Sequence, residues 1–219
     1  MPDVDLITTL RSTGSVRGFT DEPVTDETIR DILDTARFAP SGGNQQGWGV
    51  VNVRDCAARA EIAAWSQATW NEYVAQTVAG RRPFAADRSG RWSGPGDLDF
   101  ESLPTAPNPL IDALETVPAV LVVTTDITTL AAMDTDLDRV GFCAGASVYP
   151  FCWSILLAAR AHGLGGVMTT FLVRREQEAT ALLQLGPTEA IAAMICLGVP
   201  THQNTKLKRR PVDAFLRTI

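Results

Sequence analysis

Ser15-Val16-Arg17-Gly18-Phe19-Thr20-Asp21-Glu22-Pro23 and, one helix later, Ala39-Pro40-Ser41-Gly42-Gly43-Asn44-Gln45-Gln46 decide the reading of this chain. The first segment offers a fixed cation, Arg17, and a short hydroxyl, Ser15. Arginine suits phosphate because its planar fork makes paired, charge-assisted hydrogen bonds. The second segment is a bend of low side-chain bulk, where backbone amides can approach a flat ligand and Ser41 and Asn44 can bond its polar edge. Together they suit a ligand that joins an anion to a ring. Taken singly, a solvated arginine beside a turn accounts for the first, and a helix-to-strand loop for the second.

Working outward, Thr25-Asp26-Glu27 predicts a helix start, with Thr25 as N-cap and acidic residues in the first turn. Ile29, Ile32, Leu33 and Ala36 recur at helical spacing, and Pro40 with Gly42-Gly43 ends the helix. Trp48 to Val53 reads as a valine-rich strand, and Asp55 to about Val78 as a second helix. Val117 to Thr124 is an apolar run suited to a sheet centre covered on both faces. Val167 to Leu172 and Ile191 to Leu197 are further strands, and Arg174 to Leu185 is a helix broken by Gly186-Pro187. Gly80 to Pro109 differs in character: five prolines, several glycines and Arg81, Arg82, Arg88 and Arg91 mark a lid or a surface insertion that only packs.

Val140 to Ala159 carries no charge, which matches the length of a membrane span. Gly141, Gly145, Pro150 and several alanines, in a stretch that stands alone, favour a central buried helix instead, closed by glycines at 163, 165 and 166. With no linker in view, one domain over residues 1–219 is expected, with an insertion at about 80–109 and a C-terminal arm at about 200–219.

Composition removes several function classes. A net charge of −6 and a pI near 4.9 disfavour general nucleic-acid or anionic-membrane binding, so any phosphate site must be local. Cys56, Cys143, Cys152 and Cys196 show no Cys-x-x-Cys spacing, and with His162 and His202 as the only histidines no metal site is expected. The Met-Pro-Asp-Val-Asp start has no basic, apolar leader, so a cytoplasmic setting with reduced thiols is expected. There is no glycine-rich dinucleotide fingerprint, phosphate loop or Gly-x-Ser-x-Gly elbow. Scarce acid–base candidates fit redox chemistry in which a cofactor carries the reaction and the protein orients it. Met168-Thr169-Thr170, after a glycine-rich turn, could present hydroxyls and amides to a ligand, although strand threonines are usually structural. The run Lys206-Leu207-Lys208-Arg209-Arg210-Pro211 reads equally as a solvated tail.

In combination these pieces resemble the FMN-dependent nitroreductase superfamily. The resemblance is carried by Ser15-Val16-Arg17-Gly18-Phe19 with Glu22-Pro23-Val24, and by Ala36-Arg37-Phe38-Ala39-Pro40-Ser41-Gly42-Gly43-Asn44. Ile155-Leu156-Leu157-Ala158-Ala159-Arg160-Ala161 with Gly163-Leu164-Gly165-Gly166, then Leu197-Gly198-Val199-Pro200 before the basic run, complete it. Only residues 55 to 116 lack a firm match.

The resemblance implies an α+β fold, a nitroreductase-like mixed or antiparallel central sheet flanked by helices, in an intertwined homodimer whose two FMN molecules each contact both subunits. It implies an NAD(P)H-dependent FMN oxidoreductase that reduces nitroaromatics, quinones or related small acceptors by ping-pong hydride transfer, with NADH or NADPH as donor. The alternatives are an FMN-dependent dehydrogenase or oxidase of a biosynthetic intermediate, and a non-catalytic flavin-binding protein. Ser15, Arg17 and Arg209 match phosphate and ring-edge positions; Pro40, Ser41, Gly42 and Asn44 match the loop that meets the partner's flavin; Met168, Thr169 and Thr170 match the segment beside the ring. The flavin carries the chemistry, so no residue is catalytic, and Arg17 lends electrostatic support. Thr13 and Gly14 stand where many members have two arginines, leaving Arg11 and Lys208 as substitutes, and Gly47 stands where a proline is common. Trp70, Tyr73, Trp92 and Phe100 are the substrate-pocket candidates.

Overall fold

The computed structural model describes residues 5–92, 94, 98 and 105–219. Four antiparallel strands form one sheet in the order β1-β2-β4-β3: β1 Trp48–Asn52, β2 Ala119–Asp126, β3 Gly165–Thr169 and β4 Glu189–Gly198. Val50 faces Val123, Leu121 faces Ile195, and Val167 faces Cys196 across the ladders. A register shift between Val123 and Thr124 interrupts the pairing of β2 with β4.

Because side chains alternate along a strand, the apolar run of β2 feeds two cores. Ala119, Leu121 and Val123 join Ile195 and Leu197 against α2 (Asp26–Ala36) and α5 (Tyr149–Ala161), through Ile29, Ile32, Phe151 and Ile155. Val120 and Val122 join Met194 and Cys196 on the other face, against α3 (Cys56–Val78) and α6 (Glu176–Leu183), through Ile62, Ala179 and Leu183. The sheet is therefore covered on both sides although it is antiparallel throughout. Each large side chain buried this completely stabilises the fold by roughly 1.5–3 kcal/mol. Two further helices are short: α1 (Leu6–Ser12), capped by Asp5, and α4 (Pro109–Asp112), capped by Asn108.

The N-termini of the main helices obey local rules. The Thr25 hydroxyl accepts from Thr28 N at 3.1 Å, and the Asp55 carboxylate accepts from Ala58 N at 2.8 Å. One turn into α3, Arg59 is buried and donates to Val53 O, Glu115 O and Val117 O at 2.8, 3.0 and 2.7 Å. It ties the helix start to the loops that enter and leave the sheet edge.

Two expectations need correction, and one helix was not expected. The uncharged stretch from Val140 is not one helix: α5 starts only at Tyr149, with Pro150 in its first turn, and Cys143–Ser147 is a 3-10 turn. Proline lacks an N–H and belongs at a helix start, so it sets the boundary. The strand expected at Val167–Leu172 is β3, two residues earlier, followed by a 3-10 turn at Phe171–Arg175 that delays the next helix to Glu176. No expectation covered α1, whose Leu6, Ile7 and Leu10 point outward rather than into the core. No described helix is long and apolar enough to cross a membrane.

Candidate functional site

A cavity of about 540 Å³ opens where β3 ends. Arg17 lines it from the N-terminal segment, Met168, Thr169, Thr170 and Phe171 from the end of β3, and Trp70 and Tyr73 from α3. Three segments far apart in sequence thus meet at one place. Trp70 and Tyr73, one turn apart, stack with ring centroids 5.1 Å apart, and Trp70 tilts over Phe171 at 5.8 Å. The remaining wall, Pro107 to Leu110, is held against α3 by Asn71, which accepts from Ala106 N at 3.1 Å, and by Trp70 Nε1, which donates to Pro107 O at 3.3 Å.

Two polar groups in this wall lack protein partners. Thr169 Oγ1 is buried and makes no hydrogen bond, and the exposed Arg17 guanidinium makes no hydrogen bond or ion pair among the described residues. A buried hydroxyl without a partner costs free energy, so its place beside a free cation marks the wall as fit for a polar, anionic ligand. An FMN-like group meets that requirement.

The glycines behind this wall are sterically required. A Cβ on Gly166 would stand 2.8 Å from Cys196 O and 2.9 Å from Leu156, and one on Gly165 would stand 2.7 Å from Val16. Val16 N donates to Gly166 O at 2.9 Å, so Arg17 is fixed to β3 by its neighbour's backbone.

Pro40 does not line this cavity. It borders a separate groove of about 420 Å³ with Leu6, Phe38, Leu157 and Ala158. The loop that follows is tightly wound: Gly43, Asn44 and Gln46 all have positive φ. Gln46 N donates to Ser41 Oγ at 3.0 Å, and Gly42 N donates to Ser147 Oγ at 2.9 Å. Gly47 is enforced from outside the loop, because a Cβ there would collide with Thr129, whose hydroxyl is held on Asp126 O at 2.7 Å. The same crowding leaves no room for a proline ring.

The N-terminal segment and the chain beyond β4 run side by side. Phe19 bridges Pro200, Thr201 N and Oγ1 both donate to Gly18 O at 3.1 Å, and Gln203 Nε2 donates to Gly14 O at 3.2 Å. Gly14 lies directly under Asn204, whose carbonyl oxygen would stand 2.5 Å from a Cβ at position 14. The absence of an arginine there thus has a steric cause. Thr13 is buried, and its hydroxyl is committed to Thr9 O at 2.7 Å. Arg11 sits in the last turn of α1, Ser15 is exposed, and Arg209 donates to its neighbour Lys208 O at 2.8 Å. None of these residues lines the 540 Å³ cavity.

Of the substrate candidates, Trp92 lines an adjoining cavity and Phe100 lies outside the described residues. Sequence reasoning missed Pro107, Asn108, Leu110 and Phe171. Asn108 preceding Pro109 is a legible capping signal, but no local pattern indicates which cavity it borders.

An NADH dehydrogenase of Thermus thermophilus is 28% identical over 97% of this chain and 95% of its own length. A 5,6-dimethylbenzimidazole synthase of Rhodospirillum rubrum is 28% identical over 86% and 79%. Among solved structures, the NADPH:FMN oxidoreductase from Vibrio harveyi complexed with NAD+ superposes with a TM-score of 0.66 at 21% identity, covering 97% of this chain and 76% of that one. Nitroreductase A from Vibrio parahaemolyticus gives 0.66 at 22% identity, over 97% and 74%. At those identities the structures speak for the fold alone, but the Nitroreductase family model matches residues 10–199, and the chain belongs to that family.

Proposed function

We propose that this protein is an NAD(P)H-dependent FMN oxidoreductase that reduces small organic acceptors, nitroaromatic or quinone, in two successive half-reactions at one site. The observation that carries the reading is the convergence of Arg17, Met168–Thr170 and the Trp70–Tyr73 pair on one cavity that has an unpaired cation and an unpaired buried hydroxyl. Bound FMN supplies hydride acceptance and donation. Arg17 supplies a fixed positive charge for the negative charge the group carries. Thr169 Oγ1 and the backbone at the end of β3 supply hydrogen bonds, and Trp70, Tyr73 and Phe171 supply an apolar wall that excludes water. For a nitroarene the balance is NAD(P)H, one proton and the nitro compound giving NAD(P)+, a nitroso compound and water. The Vibrio harveyi relative, 27% identical over 93% of this chain, is an NADPH-flavin oxidoreductase, which supports the same reading.

A homodimer completes the site in this proposal. Leu6 and Phe38 are exposed on the Pro40 groove, and Ile7 and Leu10 on α1 and Trp153 on α5 are exposed as well, apolar surface that a second copy would cover. The loop from Pro40 to Asn44 would then serve the partner's flavin, and Lys208 and Arg209 would contribute from the C-terminal arm. A single-domain reading, with residues around 80–109 as a lid, belongs to the same proposal.

A second reading is a specialised flavin-linked oxidation, and the Rhodospirillum rubrum relative, named a synthase and not a reductase, is compatible with it. A visible absorption spectrum of the purified protein followed by anaerobic titration with NADH and NADPH separates the two. Bound flavin that bleaches rapidly supports the reductase. Bound flavin that nicotinamides leave oxidised supports the second reading, and protein that neither carries nor binds FMN ends both.

A further inference from the structure

Next to the Arg17 cavity, and sharing Tyr73, Thr170 and Phe171 with it, lies a second cavity of about 440 Å³ that no part of the proposed electron transfer uses. Its outer wall is Phe84, Trp92 and Arg174. The Arg174 guanidinium carbon stands 5.6 Å from the Phe84 ring centroid and 5.5 Å from that of Trp92, so one cation lies over two aromatic faces. Its Nη2 donates to Glu72 Oε2 at 3.1 Å, and no other acceptor meets its fork among the described residues. Glu72 is shared, because Arg175 Nη2 approaches Glu72 Oε1 at 3.8 Å. The other end of Arg175 reaches Glu178 Oε1 at 3.4 Å, a carboxylate that is 45% exposed.

Two further observations point the same way. Phe84 has φ of +52°, a left-handed conformation that is costly for a bulky residue. It is held there by Gln76, buried in α3, whose Oε1 accepts from Phe84 N at 3.0 Å and whose Nε2 donates to Glu72 O at 3.1 Å. The fold thus holds an unfavourable backbone where it sets an aromatic wall. Beyond Trp92, a third cavity is lined by Arg81, Arg82 and Arg88, with Asp87 the one carboxylate lining it among the described residues. In a chain of net charge −6 these arginines are a local concentration of cations, of which Arg81 has a partner of its own.

We propose that this aromatic and cationic annex selects the acceptor: a planar aromatic molecule bearing an anionic substituent, such as a carboxylate, with its ring between Tyr73, Phe171 and Phe84 and its anion on the free edge of Arg174. The inference deepens the reductase reading and rests on it for the chemistry, but not for the binding.

The test compares 4-nitrobenzoate with 4-nitrobenzamide, which match in shape and differ in charge. The expected kcat/KM ratio, acid over amide, is about tenfold or more in the native protein, as for one charge-assisted contact. In R174Q it falls to about unity, and in R174K, which keeps the charge, most of the preference remains. Raising salt from about 0.02 to 0.5 M lowers the native ratio several-fold, because Arg174 is partly exposed, and this result does not depend on any variant folding. An R174Q ratio equal to the native one, or a native ratio that salt does not lower, would overturn the proposal.

A second readout avoids turnover. Fluorine NMR line broadening of 4-(trifluoromethyl)benzoate and its amide is measured on the protein as purified, with flavin content read from the same sample. Selective binding of the acid by protein that neither carries flavin nor takes up added FMN would end the reductase reading and leave the annex standing. Flavin present with equal binding of both probes would do the reverse.

Discussion

Gly14→Ala tests the link between the N-terminal segment and the C-terminal strand of chain that covers it. The new methyl group would stand 2.5 Å from Asn204 O and 2.8 Å from Leu207 Cδ2. The first of these neighbours is backbone, so a side-chain rotation cannot relieve the contact. Residues 201–207 must lift, which strains or breaks the Gln203 bonds to Gly14 O at 3.2 Å and from Arg160 Nη1 at 3.1 Å. Overpacking of this kind costs about 1–3 kcal/mol, and one neutral hydrogen bond with one from a guanidinium falls in about the same range. The core is untouched, so the cost appears locally: amide exchange over residues 199–210 should rise by about one to two orders of magnitude. Global melting should shift by only a few degrees. Hydrogen exchange read by mass spectrometry checks this directly. If peptides covering 199–210 exchange as in the native protein while the variant is otherwise folded, the segment does not rest on Gly14 and the steric reason for the missing arginine is wrong.

Arg17→Ala should weaken FMN binding by about ten- to a hundredfold, the worth of a charge-assisted contact, as read by quenching of flavin fluorescence on titration. Arg59→Met removes the donor shared by Val53 O, Glu115 O and Val117 O, and should cost about 3–5 kcal/mol in urea unfolding; a loss under 1 kcal/mol would show that water satisfies those carbonyls. The Asp134 carboxylate, buried against Phe142 N, Arg139 and Cys143 N, has its pKa held below the usual carboxylate value, first by the Phe142 amide. Its stabilising effect is therefore complete above about pH 4 and lost as pH falls further, so Asp134→Asn should flatten the acid limb of the stability profile, and an unchanged limb would contradict this. Burial pushes the Cys152 and Cys196 thiols up to about 12, whereas Cys56 is exposed, so iodoacetamide should label Cys56 in the native protein and reach Cys152 and Cys196 only after unfolding.

What could be read from the sequence, and what could not, divides along one physical line. Features set within one turn or one strand were legible: the Thr25 cap, the Asp55 start, the apolar run of β2, and the separate characters of the Arg17 segment and the Pro40 loop. Arg17 and Pro40 line different cavities. Features set by contact between distant segments were not legible. Gly14 and Gly47 read as departures from a pattern, yet each answers to a neighbour far along the chain, Asn204 and Thr129. The uncharged stretch misled because composition reports burial without reporting where a helix begins, and Pro150 decides that. The same division bears on the site. Arg17 and Met168–Thr170 follow from short motifs, while the annex depends on a strained Phe84, a buried Gln76 amide and a cation over two rings. Gln76, Phe84 and Trp92 lie in the segment from 55 to 116 that carries no firm motif, whereas Arg174, the cation they surround, lies beyond it, so only the folded chain brings the annex together.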